Sequence, residues 1–206
     1  MKLIGMLDSP YVRRVAICLK WLKLDFEHES VSVFSTYEQF RKINPVVKAP
    51  TLIADNGLVV MDSSAILQYA ATLAGADRQQ QLFPTQPDAA LRAAYLTGLA
   101  LAASEKTVQI VYERNLRPAE KQHEPWIERV RSQLFAAYDE LERALAAASA
   151  PANPDRFDAA DITVAVAWRF TQLMLPEIVD QDAYPHLKAF SALAEASPLF
   201  VDTPPV

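Results

Sequence analysis

Between residues 51 and 61 two short apolar and β-branched runs, Thr51–Ala54 and Leu58–Met61, are divided by Asp55-Asn56-Gly57. Asn-Gly between such runs is the strongest local signal for a β-hairpin, and it predicts a primed turn. Pro50 directly precedes the first strand, a position where its missing N–H is tolerated. The residue before a proline is pushed toward extended backbone, so Ala49 is predicted to be extended. With no partner strand beside it, Ala49 offers its N–H and C=O to an extended ligand backbone. After the hairpin, Asp62-Ser63-Ser64 leads into Ala65, Ile66, Tyr69, Ala70 and Leu73 at helical spacing, the pattern of a helix N-terminus. The free N–H groups and positive dipole of such an end favour a carboxylate.

The hairpin belongs to a mixed first part of the chain. A strand is expected over Lys2–Leu7, a helix over Pro10–Leu22 with Pro10 in its first turn, a strand over Phe26–Val31 and a helix or turn over Thr36–Ile43. The order is βαβ, then αββα. It predicts a four-stranded mixed sheet with helices on both faces, over residues 1–76. Residues 77–88 break every apolar period and contain two prolines, which reads as a linker. From residue 89 to 206 the periodicity is helical throughout. One long helix carries Leu91, Tyr95, Leu99, Val108 and Val111, and a second carries Ile127, Val130, Leu134, Tyr138, Leu141 and Leu145. Ile162–Leu175 is apolar nearly all round and predicts a buried central helix, with Asp158 and Asp161 placed to cap it. A last helix is expected over Tyr184–Ala196. The alanine-rich stretch 144–152 reads as a helix end running into a loop.

With 51% apolar residues over 206 positions, a buried core is ample. A net charge of -5 gives no sign of a basic surface for nucleic acid or anionic lipid. The apolar run of MKLIGMLDSP is too short for a secretory signal, and no stretch of membrane-spanning length occurs. One cysteine, Cys18, excludes an intramolecular disulfide and a cysteine-based metal cluster, so a reducing cytoplasm is expected. His28, His123 and His186 share no metal-ligand spacing, and no metal site is expected. There is no glycine-rich phosphate loop, and Ser9 lacks the nucleophile-elbow context of a hydrolase.

Chemistry is therefore sought near two helix starts. Ser9 lies between the first strand and the helix that opens with Pro10, where an anion is favoured. Its hydroxyl either caps that helix or hydrogen-bonds a ligand thiolate, lowering the thiol pKa. Arg13 and Arg14 follow on the same helix, either solvated or near a ligand carboxylate. Lys48 is either a solvated loop charge or a partner for a ligand carboxylate. Asp62 and Ser63 suit the ammonium and carboxylate of one amino-acid group, a role compatible with capping. In the helical part, Tyr112, Glu113, Arg114 and Trp168 are candidates for lining an apolar co-substrate pocket, with core packing the alternative for Trp168.

With Ser9-Pro10, Asn44-Pro45-Val46-Val47-Lys48-Ala49-Pro50-Thr51-Leu52 and Asp62-Ser63-Ser64-Ala65-Ile66 in this order, the chain resembles cytosolic glutathione transferases of the bacterial, serine-using kind. The resemblance covers the whole length. It implies a thioredoxin-like N-terminal domain, a linker and an all-α helical-bundle domain carrying the electrophile pocket, with Tyr11, Tyr112 and Trp168 as its candidate lining. It implies a cis-proline at Pro50, pairing of the Ala49 backbone with the cysteinyl part of glutathione, and Asp62 and Ser63 on the γ-glutamyl group. Lys48 would sit near the glycyl end and Ser9 would hydrogen-bond the sulfur. The implied activity is transfer of an alkyl or aryl group to the thiol of glutathione, in detoxification, by a cytoplasmic homodimer with glutathione as co-substrate. Two positions depart from the family pattern: Ala49 replaces the usual Val, and Asp62 the commoner Glu. The alternative is a glutathione-binding or interaction protein of the same fold with little or no turnover. Thiol-disulfide exchange by the protein itself is disfavoured, because Ser9 stands where such enzymes place a cysteine.

Overall fold

The computed structural model describes residues 1–147 and 153–206. The last part of the alanine-rich stretch, residues 148–152, lies outside them. The elements are β1 (Lys2–Ile4), α1 (Pro10–Trp21), β2 (Glu27–Glu29), α2 (Tyr37–Ile43), β3 (Thr51–Ile53), β4 (Val59–Met61), α3 (Ser63–Leu73), α4 (Ala76–Leu82), α5 (Pro87–Leu116), α6 (Glu124–Ala147), α7 (Ala159–Met174), α8 (Pro185–Glu195) and α9 (Pro198–Val201). They form two compact units, residues 1–85 with 197–206, and residues 86–196.

The first unit is thioredoxin-like. Its sheet has the order β2-β1-β3-β4, with β1 parallel to β2 and antiparallel to β3, and β3 antiparallel to β4. Side chains alternate across a strand. Ile4 joins Val31 and Phe40 of α2 in a core cluster on one face, with Ile53 and Ala49 packed against it. Leu3 and Leu52, opposite each other in register and fully buried, point to the other face, where α1 and α3 pack.

The hairpin turn is not the primed turn that Asn-Gly predicts. Neither Asp55 nor Asn56 has a positive φ; Gly57 alone does, at +83°. The Gly57 N–H donates to Ala54 O and the Ala54 N–H to Leu58 O, both at 2.9 Å. Three residues, Asp55 to Gly57, therefore make the loop, and one left-handed glycine closes it where a two-residue primed turn needs two positive φ values. The strands are also shorter than expected. β1 stops at Ile4, because Gly5 takes φ +136° and turns the backbone toward Glu29, to whose carbonyl it donates at 3.1 Å.

Helix α1 ends in a Schellman motif. Leu24 N–H donates to Leu19 O and Lys23 N–H to Lys20 O, with Lys23 left-handed at φ +56°. A lysine pays the steric cost that glycine avoids, so Lys23→Gly is expected to raise stability by about 1 kcal/mol, measurable as a shift in urea midpoint at constant m-value.

The unit boundary differs from the expected one at both ends. The stretch 77–88 holds most of α4, and the division falls between Thr85 and Gln86. Residues 197–206, expected to belong with the helical part, group with the sheet. Arg13 is the physical reason: buried in α1, it donates from Nε to Thr203 O at 2.7 Å and from Nη2 to Phe200 O at 3.4 Å, with its guanidinium 5.4 Å from the Phe200 ring centroid. Lys20 Nζ adds a bond to Asp202 O at 2.8 Å.

The second unit is all helical. α7 is buried nearly all round and packs on α5 and α8, while α6 packs on α5 and α8. A polar thread ties three of them together. Tyr138 Oη on α6 donates to Ala167 O at 3.1 Å and lies 2.6 Å from Thr171 Oγ1, itself 2.7 Å from Thr107 Oγ1.

Asp158 and Asp161 close a capping box at the start of α7: Asp158 Oδ1 accepts from the Ala160 and Asp161 N–H groups, and Asp161 Oδ2 accepts from the Asp158 N–H. Burial, then the Asp158 carboxylate, pushes the Asp161 pKa up from 3.8 to about 6, against the opposing pull of the Asp158 N–H and of Arg92, 3.7 Å away. A carboxyl with a raised folded-state pKa binds its proton more tightly folded than unfolded. Its contribution is fully present below pH 4 and lost as pH rises through about 6, on the order of 3 kcal/mol. Asp161→Asn is expected to flatten this part of the stability profile, read as thermal midpoints of the two proteins between pH 4 and 7.5; parallel profiles would exclude the effect.

Candidate functional site

The sheet register gathers the candidate residues. Ile4 stands opposite Thr51, and Thr51 opposite Met61. The chain leaving β1 toward Ser9, the chain entering β3 through Ala49-Pro50 and the chain leaving β4 into Asp62-Ser63 therefore emerge at one end of the sheet. At Gly5 a Cβ would lie 3.2 Å from the Ala49 Cβ, so the first two segments are in contact distance of each other.

Ser9 is the N-cap residue of α1 in backbone conformation, yet its side chain makes no capping hydrogen bond. Its carbonyl accepts the first helical bond from Arg13 N–H at 2.9 Å. The capping alternative therefore does not occupy the hydroxyl.

The Ala49–Pro50 peptide is cis. The loop that carries it is pinned from both sides: buried Asn44 donates from Nδ2 to Thr51 Oγ1 at 2.9 Å and accepts from Val46 N–H at 3.0 Å, and Thr51 Oγ1 donates to Lys48 O at 2.8 Å. The Ala49 N–H and C=O make no hydrogen bond among the described residues. Asn44 was not expected as a support; its position before Pro45 in a turn was the available signal.

Asp62 caps α3, its Oδ1 accepting from Ser64 N–H at 2.9 Å and Ala65 N–H at 3.3 Å. Its Oδ2 faces Lys48 Nζ at 3.8 Å. Both side chains are more than half exposed, a pair worth little by itself. The cap leaves the Ser63 N–H unused. Three non-glycine residues of the described chain have left-handed backbone, and two of them, Val47 at φ +52° and Asp62 at φ +76°, flank this site. Strain of this kind persists where the surrounding structure over-determines it, and it concentrates at functional sites.

Beneath the α3 terminus lies Arg14, 3% exposed, its Nη1 donating to Ser63 Oγ at 2.9 Å and Ser64 Oγ at 3.2 Å. Burial is the leading influence on its pKa and lowers it. The sequence held a signal for this burial: Arg14 is four residues from both Pro10 and Cys18, on the stripe that α1 turns inward.

The other candidates are Tyr11 on α1, which acts electrostatically on Arg14, and residues of the second unit. Tyr11 is half-buried on α1. Trp168 is 3% exposed in the core of the second unit, edge-on to Tyr138 with centroids 5.1 Å apart and 5.6 Å from Tyr184. Glu113 is buried and accepts from Arg117 Nε at 2.9 Å and His123 N–H at 3.0 Å; Arg114 pairs with Glu177 at 2.6 Å. Tyr112 lines an open groove of about 520 Å³ on the second unit with Leu116, Arg117, Lys121 and Trp126. No group of three His, Cys, Asp or Glu suited to a metal occurs among the described residues, and no described helix is long and apolar enough to cross a membrane.

A thioredoxin-like sheet domain with a cis-proline loop, joined to an all-helical domain, defines the class. Residues 3–78 match the model of the glutathione S-transferase N-terminal domain and residues 124–192 that of the glutathione S-transferase C-terminal domain. The chain belongs to the glutathione S-transferase family. It is 29% identical over 142 residues to the uncharacterized GST-like protein YibF of Escherichia coli K12, covering 69% of this chain and 68% of that one. Among solved structures, it is similar to a glutathione S-transferase of Methylobacterium radiotolerans in complex with glutathione sulfonate, with TM-score 0.86, 28% identity and coverage of 98% and 93%. It is also similar to a glutathione transferase family member of Pseudomonas fluorescens Pf-5 with bound glutathione, with TM-score 0.85, 28% identity and coverage of 100% and 98%.

Proposed function

We propose that this protein is a glutathione S-transferase of the serine-using type, which binds glutathione across the end of the sheet and stabilises its thiolate for attack on an apolar electrophile. The observation that carries this reading is the convergence of three groups that make no hydrogen bond among the described residues: the Ser9 hydroxyl, the Ala49 backbone and the Ser63 N–H at the α3 terminus. β1 and β4 are two strand spacings apart, about 10 Å. An extended tripeptide spans about 10 Å as well, so one molecule reaches from Ser9 to Asp62 past Ala49. Ala49 would pair with the cysteinyl backbone, Asp62 Oδ2 would take the γ-glutamyl ammonium, and Ser63 the γ-glutamyl carboxylate. Lys48 would serve the glycyl carboxylate, exchanging its weak bond to Asp62 for that one. Glutathione sulfonate bound by one solved relative of similar fold and glutathione bound by the other support the ligand.

Catalysis in this reading is thiol activation and proximity, with no covalent role for Ser9. Within the helical unit the candidate lining for the electrophile is Tyr112, on the open groove with Leu116 and Trp126, whereas Trp168 is packed between Tyr138 and Tyr184. A reducing cytoplasm suits a free-thiol co-substrate, and a homodimer is the expected assembly, to be checked by sedimentation.

Isothermal titration with glutathione, followed by turnover assays with an aryl halide, an epoxide and an α,β-unsaturated carbonyl, tests the proposal. Micromolar to millimolar binding with conjugation of one class is expected. Binding without turnover of any class would favour the non-catalytic alternative, and no binding at 10 mM, a concentration about tenfold above the millimolar affinity range, would sink both.

A further inference from the structure

Arg14 meets the start of α3 through two serine hydroxyls, to which it donates. A guanidinium has donors and no acceptor, whereas a hydroxyl has one proton to give and lone pairs to accept with. Since Ser63 Oγ accepts from Arg14 at 2.9 Å and Ser64 Oγ at 3.2 Å, neither hydroxyl has to spend its own proton on the arginine. Each keeps its own proton to give to an acceptor at the start of α3. The Asp62 cap takes the Ser64 and Ala65 N–H groups and leaves the Ser63 N–H as a further donor at the same helix start. Without the arginine, each serine near a helix start would be free to rotate and accept from backbone N–H groups, the ordinary behaviour of the residue type there.

We propose that Arg14 is a positioning residue that polarises Ser63 and Ser64 as a pair of donors and thereby makes the α3 end of the site selective for a carboxylate, the α-carboxylate of a γ-glutamyl group, over a neutral group in the same place. This rests on the glutathione-binding reading above and deepens it. The charge of Asp62, one residue before Ser63, then holds the ammonium of the same group, so the two charges of an amino-acid terminus are sorted by two neighbouring residues. A buried arginine, unlike a lysine, contacts both hydroxyls from one fixed plane.

The test compares two ligands on wild type, Arg14→Met and Arg14→Lys by isothermal titration: glutathione, and 4-aminobutyryl-cysteinylglycine, which keeps the amine and lacks the α-carboxylate. Arg14→Met is expected to weaken glutathione about tenfold or more while weakening the analogue less than about threefold, since a charge-assisted hydrogen-bond network is lost only for the ligand that uses it. Arg14→Lys is expected to fall between. With an electrophile present, the loss is expected in KM for glutathione, with kcat and the thiolate absorbance of bound glutathione within about twofold of wild type. Equal losses for the two ligands, or a fall in kcat with unchanged KM, would overturn the proposal. If circular dichroism shows that the methionine variant does not fold, the lysine variant decides: its loss for glutathione must exceed its loss for the analogue by about threefold, and equal losses overturn the role. A wild type that binds glutathione while the variants fail this comparison leaves the glutathione reading standing; a wild type that binds no glutathione removes both.

Discussion

Ser9→Ala is expected to reduce kcat/KM for glutathione conjugation by about ten- to a hundredfold, the loss of one hydrogen bond to a charged group at about 1.5–3 kcal/mol. Ser9 sits at the N-cap of α1 without capping it, so its proton is available to an acceptor at the positive end of a helix. A free thiol with a pKa of about 8.5 is only a few per cent ionised at neutral pH. A hydrogen bond that favours the thiolate over the thiol lowers that pKa and raises the nucleophile population. The variant is therefore expected to shift the pH profile of kcat/KM upward while leaving glutathione affinity near wild type, because Ala49, Asp62 and Ser63 are untouched. Spectrophotometric titration of the bound thiol reads the same shift directly. Unchanged turnover with an unchanged thiol pKa would remove Ser9 from the mechanism without touching the fold or the binding residues.

Gly5→Ala is expected to be the most damaging single-methyl change in the first unit. At φ +136° a Cβ is strained, at about 1–3 kcal/mol. The new methyl would also lie 2.6 Å from Val12 Cγ2 and 3.2 Å from the Ala49 Cβ, so α1 or the cis-proline loop must give way, at about another 1–3 kcal/mol. Against a total stability of roughly 5–15 kcal/mol, that loss is large. Gly98→Ala is the internal control: it lies exposed within α5 with nothing within 4 Å of the added methyl, and it is expected to stabilise by about 0.5–1 kcal/mol. Urea unfolding of both variants measures the opposite signs. Because the Gly5 methyl presses on Ala49, weaker glutathione binding is expected to accompany the lost stability in the fraction that remains folded.

What could be read without the structure was local. The strands of the hairpin, the caps at Asp62 and at Asp158 with Asp161, and the buried character of α7 follow from spacings of a few residues, where turn chemistry and helical period act directly. The loop type within the hairpin differs from the local signal, because Asn-Gly predicts two positive φ values and the three-residue loop has only one, at Gly57. From the sequence, Arg13 and Arg14 are either solvated or near a ligand carboxylate, and the structure buries both. Their partners are Thr203 and Ser63, 190 and 49 residues along the chain, and no periodicity reports a contact of that separation. Trp168 illustrates the converse, since aromatic character marks both pockets and cores and only the positions of Tyr138 and Tyr184 decide between them.

By itself the sequence determined which segments could present backbone and small polar groups at helix and strand ends: Ser9 before Pro10, Ala49 before Pro50, Asp62-Ser63 before an apolar helix. These are consequences of steric limits and hydrogen-bonding capacity within a few bonds. Only the tertiary structure decided that the three ends meet, through the register that sets Ile4 opposite Thr51 and Thr51 opposite Met61. It alone turned Arg14 inward beneath Ser63 and drew residues 197–206 back to Arg13. The physical reason is that hydrogen-bond direction and burial belong to pairs of groups, and which pairs form is settled by packing across the fold.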